Sequence, residues 1–211
     1  MFTLHSINNN RLIAVALTIG VVGIASADEV RLVGSTQGQF NAQAFANTNS
    51  LLNLTYNNST FDNTTVGGAL DFGGDPIPGA NFNNLGSFSL GNINNVYNGN
   101  AFKLRVTFTA PSTIVGGNQA TFTDVISGTV SGGVGGVFID FDNTPQTFVF
   151  SNANATGSFT FFINDLSISP SSVASLTGHV TGSQRAVPEV SSLAGVLSGM
   201  LGLFGFIRRR K

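Results

Sequence analysis

Cysteine and tryptophan are absent from the 211-residue sequence, and charged residues make up only 9% of it. The absence of cysteine excludes disulfides, thiolate nucleophiles and cysteine-ligated zinc or iron–sulfur centres. The absence of tryptophan excludes an indole platform for stacking against a sugar ring. Among the aromatic residues, Tyr56 and Tyr97 are the remaining candidates for such a platform.

Basic side chains are scarce in the central part of the chain. Residues 28–185 contain four Lys or Arg side chains against nine Asp or Glu, which gives a net charge near −5. Nucleic-acid binding depends on a concentration of Lys and Arg that neutralises phosphates. The composition therefore predicts that nucleic acid is not a partner.

Phenylalanine, in contrast, is abundant, with 19 residues. So apolar and weakly charged a chain is unlike an intrinsically disordered one, and residues 28–185 have the usual length of a single domain. About a quarter of residues 41–100 are Asn, which leaves an aggregation-prone, Asn-rich segment as the alternative. Because aromatic residues are interleaved throughout this segment, we favour a folded domain.

Residues 1–27 have the pattern of a secretory signal peptide. Arg11 precedes an apolar run from Leu12 to Ile24, and Ala25 and Ala27 form a small-x-small site before Asp28. Positive charge, a short apolar run and a small-residue cleavage site are typical of such peptides. The run is shorter than the roughly 20 residues of a transmembrane helix, so we expect cleavage by signal peptidase after Ala27, with an uncleaved anchor as the alternative.

Residues 186–211 form a tail with three successive parts. Pro188 and Glu189 come first, an apolar segment from Val190 to Ile207 follows, and a basic cluster occupies Arg208, Arg209, Arg210 and Lys211. As a helix the apolar segment is about 27 Å long, just enough for a hydrocarbon core of about 30 Å. Basic residues at its far side resist translocation, so we expect the tail to span the membrane.

This arrangement resembles the PEP-CTERM sorting signal of Gram-negative bacteria and cyanobacteria. The resemblance rests on Pro188 and Glu189 in the motif, the apolar segment and the basic end, whereas Val190 stands where the family usually has a third motif residue, Pro. The resemblance implies that exosortase recognises the tail. It also implies an organism that makes extracellular polysaccharide, and that polysaccharide is a candidate partner of the protein. A plain membrane anchor that is never cut is the alternative.

Short alternating runs predict that the central part is all-β. Along Phe102–Thr109, apolar residues alternate strictly with polar ones, the mark of a strand with one buried face. Asn98-Gly99 just upstream is a type I′ hairpin signal, which predicts that Val96 and Tyr97 pair with residues after the turn. Similar runs recur at Leu51–Tyr56, Phe88–Leu90, Ala120–Val130, Val137–Asp142, Thr147–Phe150, Ser158–Asp165 and Leu176–Thr181.

Many short strands separated by Gly, Pro and Asn turns, with no helical period between them, indicate an antiparallel β-sandwich such as a jelly roll. Four segments also resemble the "choice-of-anchor" β domains found ahead of such tails: Leu85–Gly99, Thr107–Pro111, Phe138–Phe150 and Leu176–Gly178. That family carries no established activity, so the resemblance implies a fold and no reaction.

No catalytic constellation is evident in residues 28–185. His179 is the only histidine there and has no evident partner in the sequence, whereas a serine triad or a histidine metal site needs several residues. A glycosidase needs two opposed carboxylates, and nothing pairs any two of the Asp residues in this way. We therefore expect no enzymatic activity and no catalytic residues.

Asp140 and Asp142 lie two positions apart and so on one face of a predicted strand. Adjacent carboxylates repel unless a cation lies between them, and Ca²⁺ accepts such oxygen ligands. A solvated strand face is the alternative, and Asp71 with Asp75 is a second, weaker candidate pair. No other cofactor is expected.

Together these patterns predict an exported, non-enzymatic protein of the cell envelope, outer surface or extracellular matrix, transiently anchored in the membrane. The alternative function is a surface module that binds Ca²⁺ or carbohydrate and keeps an uncut anchor.

Overall fold

The part of the protein that the structure describes is built entirely from β-strands. The structure is a computed structural model, and it describes residues 29–73 and 81–187. Within these residues there is no helix, and the strands pair antiparallel apart from one short parallel pair, which confirms the all-β prediction for this part. In chain order the strands are β1 (Arg31–Phe40), β2 (Thr48–Leu51), β3 (Leu54–Asn57), β4 (Ser59–Thr64), β5 (Ala69–Phe72), β6 (Asn81–Phe82), β7 (Ser87–Leu90), β8 (Asn95–Val96), β9 (Asn100–Ala110), β10 (Ile114–Val115), β11 (Gln119–Ser131), β12 (Val134–Phe141), β13 (Gln146–Ser151), β14 (Ala155–Ile163), β15 (Leu166–Ile168), β16 (Ser172–Ser175) and β17 (Gly178–Ala186).

These strands form three sheets. The largest has the order β15-β12-β11-β9-β1-β4-β6, with β8 also paired to β11. A five-stranded sheet has the order β10-β13-β14-β17-β5, and a four-stranded sheet has the order β16-β7-β3-β2. Each long strand alternates buried residues with half-buried or exposed ones, because successive side chains point to opposite faces.

Aromatic rings join the largest sheet to both smaller ones. Phe108 of β9 packs against Phe148 and Phe159 of the five-stranded sheet, with ring centroids 5.0 and 4.9 Å apart. Phe102, also on β9, packs against Phe88 and Tyr56 of the four-stranded sheet at 4.9 and 5.2 Å. The phenylalanines that the sequence carries in such number therefore form one continuous core.

Strand β1 lies in the interior of the largest sheet, between β9 and β4, although its sequence does not show an apolar alternation. Two of its inward positions are glycines. A Cβ at Gly34 would lie 2.4 Å from a ring carbon of Phe61, and one at Gly38 would lie 2.4 Å from Tyr56. The aromatic rings thus pack directly on the backbone of β1.

The structure corrects one strand prediction and one turn prediction. The predicted run Leu51–Tyr56 is a hairpin, in which Leu52 and Asn53 both have positive φ, 51° and 67°, as a type I′ turn requires. At Asn98-Gly99, where a hairpin was predicted, only Gly99 has a positive φ, 84°. Strands β8 and β9 therefore do not pair with each other.

Instead, β8 and β9 run in the same direction along β11. Asn95 and Val96 pair with Val130 and Thr129, beyond the point where Asn100 pairs with Ile126. The turn between β8 and β9 is held against β11 by a hydrogen bond from the Gly128 amide to Asn98 Oδ1, 2.8 Å. Asn98-Gly99 therefore separates two segments that pair with the same edge of β11, and it does not reverse the chain.

The Asn-rich segment is folded where the structure describes it. Its asparagines hold turns, as Asn41 Nδ2 donates to Asn100 Oδ1 over 3.0 Å and the Gly132 amide donates to Asn94 Oδ1 over 2.8 Å. Asparagine side chains bond readily to nearby backbone, which is why they favour turns. Where the structure describes it, this segment therefore consists of strands and turns.

Candidate functional site

Acidic side chains gather at one end of the largest sheet, where β11 and β12 pair and the chain passes from β14 to β15. Asp140 is exposed on the outer face of β12, opposite Val125 of β11. Asp142 is also exposed but lies just beyond the last residue of β12. Asp165 is exposed in the turn between β14 and β15.

The carboxylate of Asp142 caps the turn that follows β12. Its Oδ1 accepts hydrogen bonds from the Thr144 amide at 3.1 Å and from the Thr144 hydroxyl at 2.5 Å. These bonds favour the charged form and hold the pKa of Asp142 below its usual range. The structure thus places Asp140 and Asp142 at the same end of β12, with Asp142 already engaged in a turn.

Asp165 ties the turn before β15 to the end of β12. Its Oδ1 accepts a hydrogen bond from the Phe141 amide at 3.0 Å and from Asn143 Nδ2 at 3.2 Å. The first of these bonds continues the pairing of β12 with β15 past Ile139 and Leu166, the last pair of residues in register. Asp165 therefore lies close to the backbone that leads into Asp142.

A fourth carboxylate, that of Asp124, points into the core. It occupies the inward row of β11 with Phe122 and Ile126, and it is 1% exposed. Its neighbours in register are Phe102 on β9 and Phe141 on β12. Neither carboxylate oxygen has a hydrogen-bond partner among the residues that the structure describes, which is unusual because a buried unpaired charge is costly.

The surroundings of Asp124 favour its neutral form. Its pKa is raised from 3.8 to about 9, chiefly by burial of the carboxyl group. The backbone amide of Asp142 lowers the pKa in part, although it forms no hydrogen bond of normal length and angle with the carboxyl, and the negative charges of Asp165, Asp142 and Asp140 raise it. Without a bound cation, Asp124 is therefore protonated at neutral pH.

The sequence carries a signal for Asp124 that the strand prediction did not use. Within the predicted run Ala120–Val130, Asp124 falls in the same phase as Ala120, Phe122 and Ile126, all of which are buried. A charged residue in the buried phase of a strand is rare unless it is paired or binds a metal.

The carboxylates do not form an assembled metal centre. Within residues 29–73 and 81–187, no three His, Cys, Asp or Glu side chains are arranged as a group that could hold a metal ion. The Ca²⁺ site predicted at Asp140 and Asp142 stays a prediction.

His179 has a partner that the sequence did not reveal. Its Nδ1 lies 2.6 Å from Asp71 Oδ1, and the two residues face each other on β17 and β5. In the described ranges no serine or threonine hydroxyl bonds to the imidazole. Asp71 thus pairs with a histidine, and Asp75, its partner in the weaker Ca²⁺ prediction, lies outside the described residues.

The prediction that Tyr56 and Tyr97 could stack on a sugar is wrong, because both side chains are fully buried. Tyr56 donates from its hydroxyl to Thr36 Oγ1 at 2.7 Å, and Tyr97 donates to the Leu52 carbonyl at 2.5 Å. Their polar ends are used within the core, where burial raises the pKa of both phenols. The second bond fixes the type I′ turn at Leu52.

The residues predicted to direct export and sorting lie outside the described part of the chain. These are the cleavage-site residues Ala25 and Ala27, the motif residues Pro188 and Glu189, and the basic end Arg208, Arg209, Arg210 and Lys211. A search of the described residues finds no helix with the length and apolarity needed to cross a membrane.

No known protein family, curated protein or solved structure matches the chain.

Proposed function

We propose that the protein is an exported, non-enzymatic component of a bacterial cell envelope or extracellular matrix that exosortase sorts through its tail. The observation that carries this proposal is the order of three elements in the tail: Pro188 and Glu189, the apolar segment Val190 to Ile207, and the basic end. The signal-peptide pattern before Asp28 supports it, because it directs the intervening domain across the membrane.

Each part of the tail has a separate physical role in this proposal. The apolar segment holds the chain in the membrane, and the basic end keeps its far side in the cytoplasm. Pro188 disfavours helix in the residue before it, which leaves an extended peptide for a processing enzyme at the outer face. Signal peptidase and exosortase are then the processing partners, and the membrane is a transient one.

We further propose that the domain is a β-sandwich of the jelly-roll type. The ring contacts between the largest sheet and the two smaller sheets support two layers that enclose one aromatic core. A sandwich of this kind needs no disulfide at this size, in agreement with the absence of cysteine. Such a domain suits a structural role or a binding role at the surface, including contact with extracellular polysaccharide.

The test is intact-mass spectrometry of the protein recovered from cells and from medium, with and without exosortase. Loss of exosortase is expected to leave a form that is heavier by the mass of the tail and remains in the membrane fraction. A chain in which Arg208 to Lys211 are replaced by neutral residues is expected to be retained less well, because the apolar segment is barely long enough to span. The mature N-terminus is expected at Asp28.

The matched control for this experiment is Glu189→Gln, which removes the charge of the motif but leaves the apolar segment and basic end intact. It is expected to block processing and so to leave the same heavier form in the membrane fraction as loss of exosortase does. Identical mass and location with and without exosortase would refute the sorting proposal and leave an uncut membrane anchor in its place.

A second candidate function is cation-dependent binding at the surface. It is favoured by the four carboxylates at one end of the largest sheet, one of which is buried without a partner in the described residues. Ca²⁺ is the cation that such oxygen ligands prefer.

A further inference from the structure

The side chain of Asp124 is the least well satisfied polar group at the acidic end of the domain. It is 1% exposed, it lies between Phe102 and Phe141 in the sheet, and both of its oxygens are without a hydrogen-bond partner in the described residues. Buried carboxyl groups in proteins are as a rule hydrogen-bonded, paired with a cation or bound to a metal. The ionised form of a carboxyl with none of these lacks a compensating charge, which a bound cation supplies.

No basic side chain of the described residues supplies that charge. Arg31 pairs with Asp62 and His179 pairs with Asp71, and none of these residues lies on β11, on β12 or in the turn before β15. Instead, Asp165 and Asp142 bring further negative charge close to Asp124. The end of the sheet therefore concentrates carboxylates without a cation from the protein.

Asp142 and Asp165 each use only one carboxylate oxygen in these hydrogen bonds. Within the described part of the chain, the hydrogen bonds to Asp142 and Asp165 all end on Oδ1. Both residues lie next to Phe141, Asp142 by following it and Asp165 by accepting its amide proton. Their Oδ2 atoms accept none of these hydrogen bonds.

We propose that this end of the domain binds a divalent cation, best Ca²⁺, with Asp124 as the buried ligand and Asp142 and Asp165 as the exposed ones. Since the group is not assembled beforehand, binding draws the two exposed carboxylates inward. Ca²⁺ suits such a site because it accepts irregular shells of six to eight oxygens that include waters and backbone carbonyls, whereas Mg²⁺ demands an octahedron.

This inference deepens the second candidate function and changes its ligands. The sequence predicted the pair Asp140 and Asp142, but Asp140 points to the outer face of β12, away from the inward row that holds Asp124. Asp140 is therefore the matched control: it is an aspartate on the same strand end whose replacement leaves the proposed ligands in place.

The test is thermal unfolding of the full-length chain in detergent, first with a chelator and then with Ca²⁺ or Mg²⁺ added in millimolar excess. Ca²⁺ is expected to raise the Tm of the unaltered chain by several degrees, because it binds the folded state alone. The same rise is expected for Asp140→Asn. It is expected to vanish for Asp124→Asn and to shrink for Asp165→Asn.

Circular dichroism before Ca²⁺ is added verifies that each variant is folded, and the exposed Asp165 gives a second variant that does not alter the core. Isothermal titration with CaCl₂ provides a direct measure of binding. The inference is overturned if Ca²⁺ leaves the Tm of the unaltered chain unchanged. It is also overturned if Asp140→Asn abolishes the rise and Asp124→Asn keeps it, which would place the cation on the outer strand face. Neither result bears on sorting, which the mass measurement tests separately.

Discussion

Replacing Asp124 with asparagine is expected to stabilise the domain at neutral and alkaline pH when no divalent cation is present. In the folded state the carboxyl keeps its proton until about pH 9, whereas its ordinary pKa is 3.8. Between these values the folded state binds a proton that the unfolded state has released, so stability falls as pH rises. Asparagine has nearly the same shape and does not titrate, so the variant escapes this loss.

The size of the effect follows from the two pKa values. At pH 7 the ordinary carboxyl lies about three pH units above its pKa, and each unit is worth about 1.4 kcal/mol, so keeping Asp124 protonated costs about 4 kcal/mol. For a domain of this length, that difference corresponds to a rise in Tm of roughly 10 °C. Below pH 4 the two proteins are expected to be equally stable in this respect, because Asp124 is then protonated in both states.

The assay is denaturant or thermal unfolding from about pH 5 to about pH 9 with a chelator present. Over this range Asp62 and Asp142, whose pKa values are lowered, are ionised in both states and add no slope. The gap between Asp124→Asn and the unaltered chain is expected to widen steadily with pH, whereas Asp140→Asn shows a much smaller trend, because the charge of Asp140 is the smallest of the causes that raise the pKa of Asp124. A constant gap, or a variant that is less stable at pH 8, would refute the assignment of Asp124 as a neutral buried acid.

Two further predictions concern packing. Phe102→Ala is expected to cost about 3 to 5 kcal/mol in urea unfolding, because the ring packs between Phe40, Phe88 and other core rings, and a loss below about 1 kcal/mol would contradict the core described here. Gly34→Ala is expected to be strongly destabilising, because its Cβ would meet Phe61 and the Thr107 carbonyl at 2.4 Å, whereas Gly73→Ala meets its nearest atom at 3.9 Å and is the control. Equal Tm values for the two glycine variants would contradict the close approach at β1.

The sequence predicts best those strands whose buried rows are apolar. In Phe102–Thr109 every inward residue is large and apolar, and β9 forms there. In β1 the inward row contains Gly34, Thr36 and Gly38. None of these three has a large apolar side chain, so the sequence shows no alternation that would indicate a strand there. These positions are small because rings from other strands occupy the space, and that requirement comes from tertiary packing, which a local pattern does not contain.

Turn-favouring residues predict where the chain turns, but they do not predict which strands the turn connects. Asn98-Gly99 is a turn, but β8 before it and β9 after it both pair antiparallel with β11. The turn therefore lies between two strands that run in the same direction. Leu52 adopts a positive φ that its residue type disfavours, and the bond from Tyr97 to its carbonyl holds it. Contacts from residues 45 positions away thus override the local preference.

The acidic end was only half predicted. Two of its carboxylates, Asp140 and Asp142, lie two positions apart in the sequence and could be paired by that spacing. Asp124 and Asp165 reach the same place through the pairing of β11 with β12 and through the bond from the Phe141 amide. These relations depend on strand order, which alternation does not specify.

The strand order also governs when the domain can fold. Strand β1, the first in the described chain, takes its interior place only when β9 is available, and β17, the last, lies between β14 and β5 in the five-stranded sheet. Pairing between segments so far apart in the chain makes folding slow. In the export proposed above, a chain that crossed the membrane N-terminus first would complete the largest sheet only after β15 had followed and the five-stranded sheet only after β17 had followed.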